Sequence, residues 1–161
     1  MSYINPTPGN SATQVTLELD YGTLGGSVSV GVNALAVPAL QDVTINASTD
    51  VFSWATLDSG AKSQVATTAT NSLSGNLVVD NNAFFGDSTA TGDAEKDGLF
   101  GLSAKKQLVN FALRFTTDGT DRVIKGQGYV TGLSPSISAQ SPVWVSPFTL
   151  TVTGSFTVAA S

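Results

Sequence analysis

The sequence predicts a mainly β protein: two packed antiparallel sheets, as a sandwich or partial barrel, with one short flanking helix. Three observations carry this reading. Apolar and polar residues alternate with a period of two through most of the chain, as in strands that bury one face. The runs are filled with Thr, Ser, Val, Ala and Gly. Helical spacing is confined to one segment, 93–107, and the other breaks carry Gly, Pro, Asn and Asp, which end strands.

Taken in order, Gln14–Tyr21 sets Val15, Leu17, Leu19 and Tyr21 against Thr16, Glu18 and Asp20. Ser27–Val32 repeats the pattern with Val28, Val30 and Val32, after a glycine-rich break at Gly22, Gly25 and Gly26. Asn33–Leu40 is apolar but contains Pro38, which argues for a loop rather than a central strand. Strands are expected at 41–49, 51–57, 63–71 and 73–80, with a turn at Asp58-Ser59-Gly60 and a break at Asn81-Asn82. The helix, 93–107, is expected to be capped by Thr91 or Asp93, with Glu95 and Asp97 at its positive start and Lys105 and Lys106 at its negative end. Its apolar residues Leu99, Phe100 and Leu102 should pack on a sheet, and Gly98 and Gly101 limit its length. Leu108–Phe115 and Arg122–Leu133 form a hairpin about Asp118-Gly119, the dipeptide of tight two-residue turns, with Gly119 at positive φ. A last strand, Phe148–Val158, alternates apolar residues with Thr and Ser, behind a segment bounded by Pro142 and Pro147. The 161 residues suit a single domain, 1–161, with an N-terminal arm over about 1–13 and an extended loop over about 22–38.

Composition narrows function. The chain has no histidine and no cysteine. It therefore lacks the side chain that moves protons near neutral pH and the ligands on which zinc and copper sites depend. No cofactor is expected, and no enzyme. Asp80, Asp87, Asp93, Glu95 and Asp97 lack the fixed ligand offsets of a calcium loop. Glu18 and Asp20 read as a solvent-facing pair before they read as a glycosidase pair. Trp54, Tyr129 and Trp144 are scattered rather than interleaved with basic residues, unlike a nucleic-acid stacking surface.

Only 12% of residues are charged, about half the usual ~25%. A surface so poor in charge is one that copies of the chain can cover at small desolvation cost. The net charge is −5, and every ionised residue before Lys62 is an acid. Such a chain does not grip phosphate, because that grip comes from Lys and Arg displacing counterions. No apolar run is long enough to span a membrane. The start, Met1-Ser-Tyr-Ile-Asn-Pro, lacks the basic and apolar regions of a signal peptide, so synthesis in a cytoplasm is expected.

The stretch from Asp97 to Gly154 joins a short helix, the strand Gln107-Leu-Val-Asn-Phe-Ala-Leu-Arg-Phe115, the Asp118-Gly119 hairpin, a return strand ending Gly128-Tyr-Val-Thr-Gly-Leu133, a Ser-rich stretch, and the closing Phe148-Thr-Leu-Thr-Val-Thr-Gly154. This order resembles the major tail proteins of tailed bacteriophages, over a little over a third of the chain. The resemblance implies a structural virion protein made in the host cytoplasm. Its main partner would be itself, as hexameric rings stacked into a tail tube, with other tail proteins at the tube ends and DNA passing through without specific binding. Four strands from each of six subunits, ~4.8 Å apart and tilted ~40°, would close a barrel roughly 48 Å across.

On that reading Glu18, Asp20, Asp42 and Asp80 are the lumen-lining candidates, unneutralised by any base in their own segment. Gly25, Gly26, Val28, Val30 and Val32 are the inter-ring candidates, in a loop mobile until an adjacent ring orders it. The alternative function is a β-sandwich binding module, such as a capsid decoration or adhesion domain.

Overall fold

A computed structural model describes residues 15–37, 40–55, 61–117 and 120–160. The elements are β1 (Thr16–Tyr21), β2 (Leu35–Val37), β3 (Leu40–Ala55), β4 (Lys62–Val78), α1 (Asn81–Phe85), α2 (Asp93–Lys105), β5 (Leu108–Thr117), β6 (Thr120–Leu133), β7 (Ser136–Ser138) and β8 (Ser141–Ala160). The protein is mainly β, as its alternation predicts.

The strands form one antiparallel sheet in the order β2-β1-β5-β6-β8-β4-β3, with β7 added to β8. The two layers expected from sequence are two halves of this sheet, curled about a shared core. Leu17, Leu19 and Phe111 from one half join Leu73, Leu77, Phe148 and Leu150 from the other in a single buried cluster. Period-two register explains the sorting: Leu17 lies opposite Leu113 and Leu19 opposite Phe111, so each pair buries together. Thr117 pairs with Thr120, the register of a two-residue connection. Asp118 and Gly119 themselves, like the arm over 1–13, lie outside the described residues.

Several elements differ from the sequence reading, each for a local reason. Leu35 and Val37 are buried about the exposed Ala36, so the start of the expected 33–40 loop is the edge strand β2. Val28, Val30 and Val32 form no strand, and Val32 is fully exposed. Asn81-Asn82 opens α1 rather than a simple break, because the Asp80 carboxylate accepts from the N–H groups of Asn82 and Ala83. Pro147 lies inside β8, where pairing passes from β6 (Leu133↔Phe148) to β7 (Ser136↔Val145). The Ser146 hydroxyl serves that gap, accepting from Ser134 N–H at 3.1 Å.

The helical layer closes the core. Gly92, not Thr91 or Asp93, is the N-cap of α2, and Glu95 reaches back to its N–H at 3.3 Å. Leu99 and Leu102 are buried as expected, but Phe100 is 52% exposed. Residues 99 and 100 are a helical step apart and cannot share a face. Phe100 lies instead beside Phe84 and Phe85, its ring centre 6.4 and 6.2 Å from theirs. The layer is locked by a backbone contact at Gly98, where α2 breaks with φ 63° and ψ 178°. A Cβ there would stand 2.4 Å from Gly86 N and 2.8 Å from Phe84 O.

A polar latch ties α2 to the end of β1. Tyr21 donates its hydroxyl to Asp97 Oδ2 at 2.5 Å, and Lys105 Nζ reaches Asp97 Oδ1 at 2.5 Å. Burial pushes the Asp97 carboxyl up, but the hydrogen bonds from Lys105 and Tyr21 and the Lys105 charge outweigh it and hold it below the usual carboxylate value. The bond to Asp97 raises both Tyr21 and Lys105 above their usual values. A depressed carboxyl stabilises the fold above its unfolded-state value and loses that contribution as pH falls through the folded one. The raised Tyr21 and Lys105 act at the other end, contributing below their unfolded values and losing that as pH rises past about 10. Asp97→Asn is expected to flatten the fall in stability between pH 5 and pH 2, read by urea unfolding; an unchanged slope would remove the latch from the account.

Candidate assembly interface

The most unusual part of the molecule is the outer half of the β3–β4 hairpin. β3 is buried on neither face beyond its base, and β4 becomes buried only from Asn71 onward. Pairing explains why. β4 lies against β8 from Asn71 to Val78, but from Lys62 to Thr70 its partner among the described residues is β3 alone. Among the described residues, a two-stranded arm thus leaves the body with no layer beneath it. The local sequence leads to this result: Lys62–Thr70 is rich in Thr and Ala on both faces and offers no stripe to bury.

Two irregularities shape the arm. At its base the register shifts between Leu40 and Asp42, and the Asp42 carboxylate accepts from Asn76 N–H at 2.9 Å and from the Asn76 amide at 2.8 Å. Farther out the register shifts again between Thr49 and Val51. There Asp50 accepts from the Thr68 hydroxyl through its carboxylate and from the Thr67 hydroxyl through its backbone carbonyl, both at 3.2 Å. Beyond that bulge lie the apolar residues. Phe52 and Trp54 share a face, their rings stacked at 5.9 Å, and Val65 lies directly opposite Phe52. Val51 occupies the other face, and all four residues are exposed. An isolated two-stranded ribbon is marginally stable in water. An arm of this length carrying bare aromatic residues is built to be covered.

The sequence-predicted site residues are spread over the molecule, and each carboxylate has a structural partner. Glu18 is paired with Arg114 from β5 at 3.0 Å, so the expectation that it stands unneutralised is corrected. Asp20 accepts from Tyr21 N–H and Gly31 N–H at 2.8 and 2.9 Å, Asp42 holds Asn76, and Asp80 caps α1. The partners of these last three are neutral N–H groups, which leave the negative charge in place. Glu18 and Asp20 do share the non-core face of β1, as alternation requires.

The loop expected over about 22–38, mobile until an adjacent ring orders it, is tied to its own sheet through its first part, residues 22–34. Gly26 N–H closes a turn on Thr23 O at 2.9 Å. Asn110, buried on β5, donates to Ser29 O at 2.9 Å. Gln127, buried on β6, donates to Thr23 O at 3.1 Å and to Asn110 Oδ1 at 2.9 Å. Gly25, Gly26 and Val32 stay exposed above this clamp, with Val28 and Val30 half-buried in it. Sequence reasoning did not single out the β3–β4 hairpin as a projecting element. Phe52, Trp54 and Val65 were visible as apolar residues, but the absence of a buried partner strand for them was not.

Among the described residues no group of acidic side chains is arranged to hold a metal ion, and no helix is long and apolar enough to cross a membrane. No protein-family model matches the sequence, and no curated protein matches it.

Solved structures do match. The virion of a native gene transfer agent particle contains a chain with TM-score 0.60 at 10% identity, covering 94% of this chain and 99% of that one. The tail of an empty gene transfer agent particle, of C6 symmetry, gives TM-score 0.59 at 13% identity over 89% and 96%. The SPP1 tail tube gives TM-score 0.61 at 10% identity over 96% of this chain and 80% of that one. Over most of its length, this chain shares the fold of these tail and tail-tube chains.

Proposed function

We propose that this chain is a structural tail-tube protein whose working partner is itself. Copies form six-membered rings, the rings stack into a tube, and other tail proteins close the tube ends. The chain performs no catalysis, takes no cofactor and belongs to the virion, passing DNA without binding it specifically. The observation that carries this reading is the arm. A ribbon with Phe52, Trp54 and Val65 exposed beyond the sheet that supports it needs a covering surface, and neighbouring copies supply one. The arm is the inter-ring element, and the clamped 22–34 segment is a fixed surface rather than a reaching one.

Negative-stain microscopy of the concentrated protein tests this, with rings or tubes of uniform diameter expected. Particles that stay monomeric at every concentration would favour a decoration or adhesion module instead.

In the tube, Asp20, Asp42 and Asp80 give the lumen its negative potential, while Glu18 contributes little because Arg114 neutralises it. Repulsion of phosphate then extends ~8 Å from the wall at physiological salt, and DNA slides. Asp20→Asn with Asp42→Asn should leave tubes intact and slow DNA release from particles. Unchanged release kinetics would place these residues elsewhere than the lumen.

A further inference from the structure

β8 changes neighbours along its length. From Val145 to Val152 it lies between β4 on one side and β6 or β7 on the other; from Thr153 onward its partner among the described residues is β6 alone. Asn71↔Val152 is the outermost β4–β8 pair, and past it β4 runs into the arm. The sheet forks at this point, and the fork is specially built. Where β6 advances from Lys125 to Gln127, β8 runs from Thr157 back to Thr153, so β8 bulges at 154–156. Gly154, in that bulge, has φ +86°, the left-handed region that favours glycine. Asn71, only 6% exposed, donates its side-chain amide to Gly154 O at 2.7 Å. A buried amide and the carbonyl of a bulged residue meet across the fork.

We propose that the Asn71–Gly154 bond is a positioning clip that sets the direction in which the arm leaves the body, and so where it meets the neighbouring copy. The inference rests on the reading of the arm as the assembly contact and adds the residues that aim it. Leverage makes the clip matter. The arm beyond the fork, from Ala47 to Ala55 on β3, spans roughly 27 Å at ~3.4 Å per residue. A ten-degree error at its root displaces the tip by about 5 Å, one full strand spacing. The bonded side chain acts where β4 loses β8, the last place at which the body can fix the angle. The bulge has a second anchor, Phe156, whose ring packs edge-on against Phe111 at 6.1 Å. Loss of the clip therefore frees the arm without releasing β8.

The test uses the full chain with Asn71→Leu, Asn71→Asp and Gly154→Ala. Asp matches Asn in size but cannot donate when ionised. A Cβ at Gly154 meets nothing within 4 Å, so that change acts through backbone conformation alone. All three variants are expected to keep the wild-type far-UV spectrum, to need at least tenfold more protein to form tubes, and to change the ring-to-ring twist of any tube that forms. Because the chain has no cysteine, spin labels at Gln64→Cys and Ser155→Cys report the arm angle directly in unassembled subunits. The distance distribution between them should be narrow in the parent and at least twice as broad in Asn71→Leu.

Equal widths, or tubes of unchanged twist and threshold from Asn71→Asp, would overturn the clip even if a chain lacking the arm makes no tubes. Normal tubes from the armless chain would instead overturn the underlying reading. A variant that loses its native far-UV spectrum would show Asn71 to be a folding residue and not a clip.

Discussion

A chain in which Ser48–Thr70 is replaced by Asn-Gly is expected to fold as a stable subunit and to form no tubes. The replacement joins Ala47 to Asn71, residues already opposite one another, through the dipeptide of two-residue hairpins. Everything removed beyond the fork is exposed on both faces among the described residues, so the core loses nothing. Covering an aromatic or branched side chain contributes ~1.5–3 kcal/mol, and the arm presents Val51, Phe52, Trp54 and Val65. After the cost of ordering the contact, at least about a hundredfold loss in association constant remains, at ~1.4 kcal/mol per decade. Sedimentation and microscopy read the assembly, and thermal unfolding should shift by no more than a few degrees. Tubes of ordinary length from the armless chain would refute the arm's role.

The second large effect is expected from Gly98→Ala. A residue with a side chain held at φ 63° and ψ 178° costs about 1–3 kcal/mol in backbone conformation alone. Here the new methyl also strikes Gly86 N and Phe84 O, which are backbone and cannot rotate aside. The α1–α2 contact must open, withdrawing Phe84, Leu99 and Leu102 from the core. A fall in melting temperature of roughly 6–12 °C corresponds to ~3 kcal/mol for a domain of this size. A variant that melts with the parent would show that the helical layer can shift without cost.

The fold class was legible because strands that bury one face write a period of two into the chain, and β1, β5, β6 and the inner half of β8 do so cleanly. Leu17 and Leu19 on β1 and Phe111 and Leu113 on β5 needed no three-dimensional information. The arm was not legible for the converse reason. Its residues bury no face, so Asp50 read as a gap between two strands when β3 runs straight through it, opposite a bulge at Thr67-Thr68 on β4. α1 was hidden by its shortness and by Asn81-Asn82, whose cap, Asp80, read instead as a lumen candidate. Phe100 was misplaced because the break at Gly98 and the step from Leu99 turn it toward Phe85. The charge state of Glu18 depended on Arg114, far along the chain, which no local pattern reports. Pairings between distant residues decide which acids are free, and those are set by topology.

The bulges in the arm also bear on the life of the subunit before it is used. Among the described residues β3 is an edge strand along its length, with β4 its one partner. A long flat edge is a template onto which any other extended chain can add, and crowded newly made subunits would polymerise side by side. The register breaks at Leu40/Asp42 and Thr49/Val51 divide the regular edge into Asp42–Thr49 and Val51–Ala55, and each bulge tightens the local twist. Two such edges cannot run alongside one another for long. Such geometry disfavours side-by-side addition of one arm to another before any assembly takes place.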